Sequence, residues 1–146
     1  MKKTLPLFLC LLALVVGPGY SQDTKASELL GQPLLLSEGL FFEIGQYDDT
    51  WVTTDASGDS RVDYAMLVDD ESLMRNFEAI DSNNDGKMDD FYIYSNDVLI
   101  RREIDQDFNG VIDLVVFISQ GVYVEKYYRD QSGDGLIDQV RVFGEQ

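Results

Sequence analysis

A nine-residue pattern occurs four times and constrains this chain more than any other feature. It reads "DASGDSRVD" from Asp55, "DSNNDGKMD" from Asp81, "DQDFNGVID" from Asp105 and "DQSGDGLID" from Asp130. The starts lie 26, 24 and 25 residues apart, a regularity that marks a repeated supersecondary unit. Each run carries an oxygen-bearing side chain at its first, third, fifth and ninth places. Three of the four have glycine sixth, at Gly86, Gly110 and Gly135; Ser60 stands there in the first run.

The residues between the runs are strand formers. "YAMLV", "FYIY", "LVVFI" and "VRVF" follow the runs, and "LMRNFEAI", "VLIRREI" and "VYVEKYYR" precede the last three. They are rich in β-branched and aromatic residues and of strand length. Turn signals separate the paired stretches, "SND" at 95–97 and "SQG" at 119–121. Connections this short permit only antiparallel neighbours. The expectation is an all-β fold: an antiparallel meander of hairpins with a period of about 25 residues, acidic loops at one end and tight turns at the other. Closure into a rolled sheet, barrel or propeller stays open. The stretch 71–80 also fits a helical stripe through Leu73, Phe77 and Ile80, but its place in the period favours a strand.

Ala65, Phe91, Val115 and Val140 recur in one phase, as do Leu67, Ile93, Phe117 and Val142 two residues on. Period two repeated in phase predicts a common buried face. The opposite face, with Tyr92, Tyr94, Val116 and Ile118, is also apolar or aromatic and asks for a cover, either the stretch 34–45 or closure of the sheet.

Residues 1–21 read as a signal peptide. A basic "MKK" precedes the apolar run "LPLFLCLLALVV", too short for a comfortable bilayer crossing, with cleavage expected after Ser21. This places the mature chain in the periplasm or outside the cell, with no membrane attachment after cleavage. Residues 22–50 form an N-terminal segment packing on or leading into the sheet, and 51–146 the domain of four loops. Cys10 leaves with the signal peptide, and the chain has no histidine. Cys–His and Ser–His catalysis, disulfides and the common zinc sites are thereby excluded.

The whole chain has a formal charge of −16; without Lys2 and Lys3, 9 basic residues face 27 acidic ones, for −18. Such a charge repels nucleic acid and anionic membranes. It also opposes compaction unless something neutralises it. Divalent cations are the obvious candidates. A turn has no use for three carboxylates in nine residues, which repel unless a cation sits among them.

The runs resemble two calcium loops. Through their sixth position they are similar to EF-hand loops, but an EF-hand needs an acidic twelfth residue, where this chain has Met66, Tyr92, Val116 and Arg141. The hairpin loops of integrin α-chain propellers and related bacterial repeats fit better, because there an aspartate closes the site at position nine. That resemblance covers the loops only. It implies Ca²⁺ held by positions one, three, five, seven (through its carbonyl) and nine. The ligands would then be Asp81, Asn83, Asp85, Lys87 and Asp89; Asp105, Asp107, Asn109, Val111 and Asp113; Asp130, Ser132, Asp134, Leu136 and Asp138; and Asp55, Ser57, Asp59, Arg61 and Asp63. Ser60 makes the loop at Asp55 the weakest, so three or four ions are expected. The apolar eighth residues, Val62, Met88, Ile112 and Ile137, would tie each loop to the core.

These features point to an exported, non-enzymatic calcium-binding protein whose ions stabilise a sheet used for binding, adhesion or structure. Its partner could be a protein or glycan. An alternative reading makes Tyr92, Tyr94, Tyr123, Tyr127, Tyr128 and Trp51 a platform for sugars or peptides. A carboxylate hydrolase is the third, but no catalytic residue stands out: Glu43, Glu78, Glu103 and Glu125 are expected on solvated faces.

Overall fold

The computed structural model describes residues 26–38 and 41–143; the expected signal peptide lies outside them. The described residues are all-β apart from a helical turn, α1 (Ala26–Leu29), and a 3-10 turn at Ile44–Gln46. Eight strands follow: β1 (Val52–Thr54), β2 (Tyr64–Val68), β3 (Arg75–Ile80), β4 (Asp90–Ser95), β5 (Val98–Ile104), β6 (Leu114–Ser119), β7 (Tyr123–Arg129) and β8 (Gln139–Val142). They form one antiparallel sheet in the order β1 to β8. The strand assignment for 71–80 therefore holds over Arg75–Ile80, the preceding residues forming a turn in which Leu73 has φ 57°. The sheet is open, not closed into a barrel: β1 and β8 are its two edges.

The four acidic runs join β1 to β2, β3 to β4, β5 to β6 and β7 to β8, and so share one end of the sheet. At the other end Asn96 and Asp97, with φ 50° and 62°, make the two-residue turn between β4 and β5. Both central residues left-handed is the turn whose twist matches a hairpin, and Asn and Asp tolerate it best.

One row of residues crosses the whole sheet. Thr53, Ala65, Ala79, Phe91, Glu103, Val115, Tyr128 and Val140 each stand opposite the next. Ala65, Ala79, Phe91 and Val115 on this row are buried, with Ile93 beside them. The N-terminal segment covers this face. Phe42 packs edge-on to Phe91 at 5.2 Å between ring centres, while Phe41, Tyr47 and Trp51 form an aromatic cluster beside it. Leu34 and Ile44 complete the cover. Burying a side chain the size of Phe91 contributes about 2–3 kcal/mol.

Three expectations are corrected. The burial fades towards β8, where Val142 is 60 % exposed although α1 lies against that strand. The face with Tyr92, Tyr94, Val116 and Ile118 has no cover among the described residues; the 34–45 stretch lies on the other face, where Phe42 meets Phe91. Finally, Glu103 is fully buried rather than solvated. It accepts hydrogen bonds from Ser37 N (2.9 Å) and Ser37 Oγ (2.6 Å), and Arg101 Nε lies 2.7 Å away. A charge in a core row is tolerated when it is paired and hydrogen-bonded; here Oε1 takes these contacts, while Oε2 is buried without a hydrogen-bond partner among the described residues. Glu78 is half-buried too, held by Tyr94 Oη (2.7 Å) and Arg75 (3.3 Å), whereas Glu43 and Glu125 are exposed as expected.

Candidate metal centre

The four acidic loops share one backbone. In each, the first aspartate accepts the amide of the sixth residue: Asp55 from Ser60 (2.8 Å), Asp81 from Gly86 (2.8 Å), Asp105 from Gly110 (2.6 Å) and Asp130 from Gly135 (2.7 Å). The fifth side chain accepts the amide of the seventh, 2.8–2.9 Å in every loop. The ninth aspartate accepts the amide of the second residue at 2.7–2.9 Å. Short Asx side chains bonding their own backbone are what Asp and Asn supply to turns.

The sixth residue takes positive φ four times, at Ser60 (69°), Gly86 (95°), Gly110 (87°) and Gly135 (83°). So does the fourth, at Gly58 (80°), Asn84 (60°), Phe108 (61°) and Gly133 (76°). The fourth position escaped the sequence reading, although Gly, Asn and Gly in three of its four places were a signal for a left-handed residue. Phe108 hid it.

The loops are also joined to one another. The amide of each later first aspartate donates to the carbonyl of the preceding loop's ninth: Asp81 to Asp63 (2.9 Å), Asp105 to Asp89 (2.8 Å) and Asp130 to Asp113 (2.9 Å). The eighth residues tuck inwards, Met88, Ile112 and Ile137 being buried and Val62 partly so. The N-terminal segment bridges to two loops beside those residues, pairing Glu43 with Lys87 and Pro33 with Leu136.

Carboxylates converge in two loops. Asp105, Asp107 and Asp113 each bring an oxygen within 4.8 Å of the others, and so do Asp55, Asp59 and Asp63. The loop at Asp55, ranked last on its serine, thus gathers its acids as closely as the one at Asp105. The loops at Asp81 and Asp130 also hold three aspartates each, with Asn83 and Ser132 in third place, but their carboxylates do not all meet within that distance. Asn83 Oδ1 accepts Asp85 N at 2.9 Å, and Ser132 Oγ lies 3.4 Å from Asp130. Lys87, Val111, Leu136 and Arg61 hold the seventh places, each with its amide tied to the fifth side chain.

The surroundings differ in charge. Burial holds the Asp113 carboxyl above the ordinary carboxylate range, and Asp107 and Asp105 push the same way. Asp113 Oδ1 is buried with no hydrogen-bond partner among the described residues. Asp89 is raised by burial as well, with Asp81 and Asp85 adding to it. Asp138 lies lower than usual because the amides of Ser132 and Gln131 stabilise its anion. Asp59 is lowered by Arg61, whose guanidinium lies 2.6 Å away and also donates to Asn84 O in the next loop. A methyl group added at Gly86 would stand 3.1 Å from Arg61 Nη1, and one at Gly110 3.6 Å from Lys87 Nζ. Basic seventh residues thus reach across to the neighbouring loop, a role the sequence reading did not assign them.

The donor set suits a hard cation. Asp105, Asp107 and Asp113 bring carboxylate oxygens together, the donor type that Ca²⁺ and Mg²⁺ take. Carboxylates keep lone pairs beyond those used for the backbone amides. No protein-family model matches the chain, and no curated protein matches it.

Proposed function

We propose that this is an exported, non-enzymatic protein whose acidic loops bind Ca²⁺, the ions stabilising the sheet end on which all four loops lie. The observation that carries the reading is the convergence of Asp105, Asp107 and Asp113, with one oxygen of Asp113 buried and unpartnered. Like charges so close in a shielded place destabilise the fold unless a cation joins them. Flexible multi-oxygen loops favour Ca²⁺ over Mg²⁺, which demands stricter octahedral geometry. With free Ca²⁺ ten-fold above the dissociation constant, each site adds about 1.4 kcal/mol to stability. Three sites would add roughly 4 kcal/mol, a large share of a small domain's margin. The ions would then take the part that disulfides play in other exported domains.

The tyrosine platform is the weaker reading. The Arg75 guanidinium lies 4.5 Å from the ring centre of Tyr94 and that of Arg102 4.6 Å from Tyr92, so one face of each ring is taken. The hydrolase reading weakens likewise, since Glu78 and Glu103 are each engaged by an arginine. Calorimetric titration of chelator-stripped protein tests the proposal. Three or four Ca²⁺ sites with dissociation constants of about 0.1–1 mM are expected. No heat beyond dilution would overturn it.

A further inference from the structure

The sheet ends on two unlike edges that fit each other. Among the described residues β1 pairs only with β2, and β8 only with β7. Asp63 N donates to Thr54 O, so the Thr54 carbonyl points at β2, and alternation along the strand turns the N–H and C=O of Thr53 outwards. On β8, Phe143 N donates to Glu125 O while Val142 stands opposite Lys126. Antiparallel alternation then turns the N–H and C=O of Val140 and Val142 outwards.

The joins inside the molecule show how such edges meet. The residue after each loop pairs with the residue before the next: Tyr64 with Ile80, Asp90 with Ile104, Leu114 with Arg129. The next loop's first amide then donates to the previous loop's ninth carbonyl. Among the described residues β8 is the strand after a loop with no following partner, and β1 the strand before a loop with no preceding one.

We propose that the β8 edge of one copy pairs with the β1 edge of a second. Gln139, Val140 and Arg141 would meet Thr54, Thr53 and Val52 of the next molecule. The Asp138 carbonyl would accept the amide of its Asp55, as Asp113 accepts Asp130 within one chain. The contact is head-to-tail, so it propagates and does not close into a symmetric dimer. It holds few residues, well below a standard interface, so it is weak, with a dissociation constant on the order of 0.1–1 mM. Helical turn α1 packs against β8 but pairs no strand with it: its Leu29 lies with Ile137 and Tyr128 around a cavity on the covered face.

The test uses proline as an edge blocker. Thr53→Pro removes one outward N–H on β1 and Val140→Pro one on β8; proline is tolerated on edges when its missing N–H faced solvent. Sedimentation is measured to 1 mM protein in 0.5 M NaCl with EDTA, where screening to about 4 Å suppresses the like charge of neighbouring loops. This keeps the test independent of cation binding. Wild-type protein should grow in average mass with concentration. Each variant alone should stay monomeric, and an equimolar mixture should form heterodimers and nothing larger. Hydrogen exchange at the Thr53 and Val140 amides of the wild type, which needs no variant to fold, should slow as concentration rises. A monomeric wild type, self-association of either variant, a mixture without heterodimers or unchanged exchange would each overturn the proposal.

Discussion

The loops at Asp55 and Asp105 have the same backbone and each brings three carboxylates together, from positions one, five and nine in the first and one, three and nine in the second, yet they meet their charge differently. At Asp55 the chain supplies a cation of its own. Arg61 sits on Asp59 and bridges to Asn84. The loop is largely exposed, only Asp63 being buried. At Asp105 the seventh residue is Val111, which offers no charge. Asp105 is 2 % exposed and one oxygen of Asp113 is enclosed without a partner. One loop carries an arginine on its own aspartate; the other has its cations, Lys87 and Arg129, supplied from neighbouring elements, and keeps one carboxylate oxygen enclosed without a partner. The backbone alone does not separate them; the side chains at the third, fifth and seventh places and the depth of burial do.

The largest expected break in this comparison comes from Asp105→Ala. It removes the acceptor for Gly110 N and Asn109 N in a buried place and deletes a proposed ligand. A loss of roughly 2–3 kcal/mol is expected from the unsatisfied amides alone, read by urea unfolding in EDTA. Asp55→Ala, at an exposed position, should cost less than half of that. Equal losses would show that burial does not distinguish the loops.

Backbone strain comes next. Phe108 at φ 61° and Ser60 at φ 69° hold left-handed conformations that glycine adopts without penalty. Phe108→Gly and Ser60→Gly should each stabilise the protein by about 1 kcal/mol, a rise in melting temperature visible in either loop with or without added ions. A fall at Phe108 would mean that its side chain, 46 % exposed, does more than tolerate its place.

The smallest effect sharpens the contrast most. Arg61→Gln should raise cation affinity at the loop of Asp55 several-fold, because Asp59 loses its internal partner. The loop at Asp105 should be unaffected. Titration of the variant against the wild type, site by site in amide NMR spectra, reads both. An unchanged loop at Asp55 would show that Arg61 does not compete with an ion.

Much of the fold was legible in the sequence because its signals are local. Period-two alternation gave the strands, short Asn-Asp and Gln-Gly connections gave the hairpins, and the spacing of the acidic runs put the loops at one end. The apolar eighth residues pointed inwards for the same reason. What stayed hidden depends on contacts between distant residues. Which face the N-terminal segment covers is decided by Phe42 meeting Phe91, a choice that alternation cannot make when both faces are apolar. Glu103 read as a surface residue because only Ser37 and Arg101, brought to it by folding, make its burial tolerable. The partnership of Arg61 with Asp59 was hidden in a position whose side chain seemed free to vary.

Thermal unfolding with 5 mM CaCl₂ against 5 mM EDTA tests the central claim most directly. Ions held by three of these loops predict a midpoint higher by roughly 10–20 °C in Ca²⁺. Coincident unfolding curves in the two solutions would contradict it.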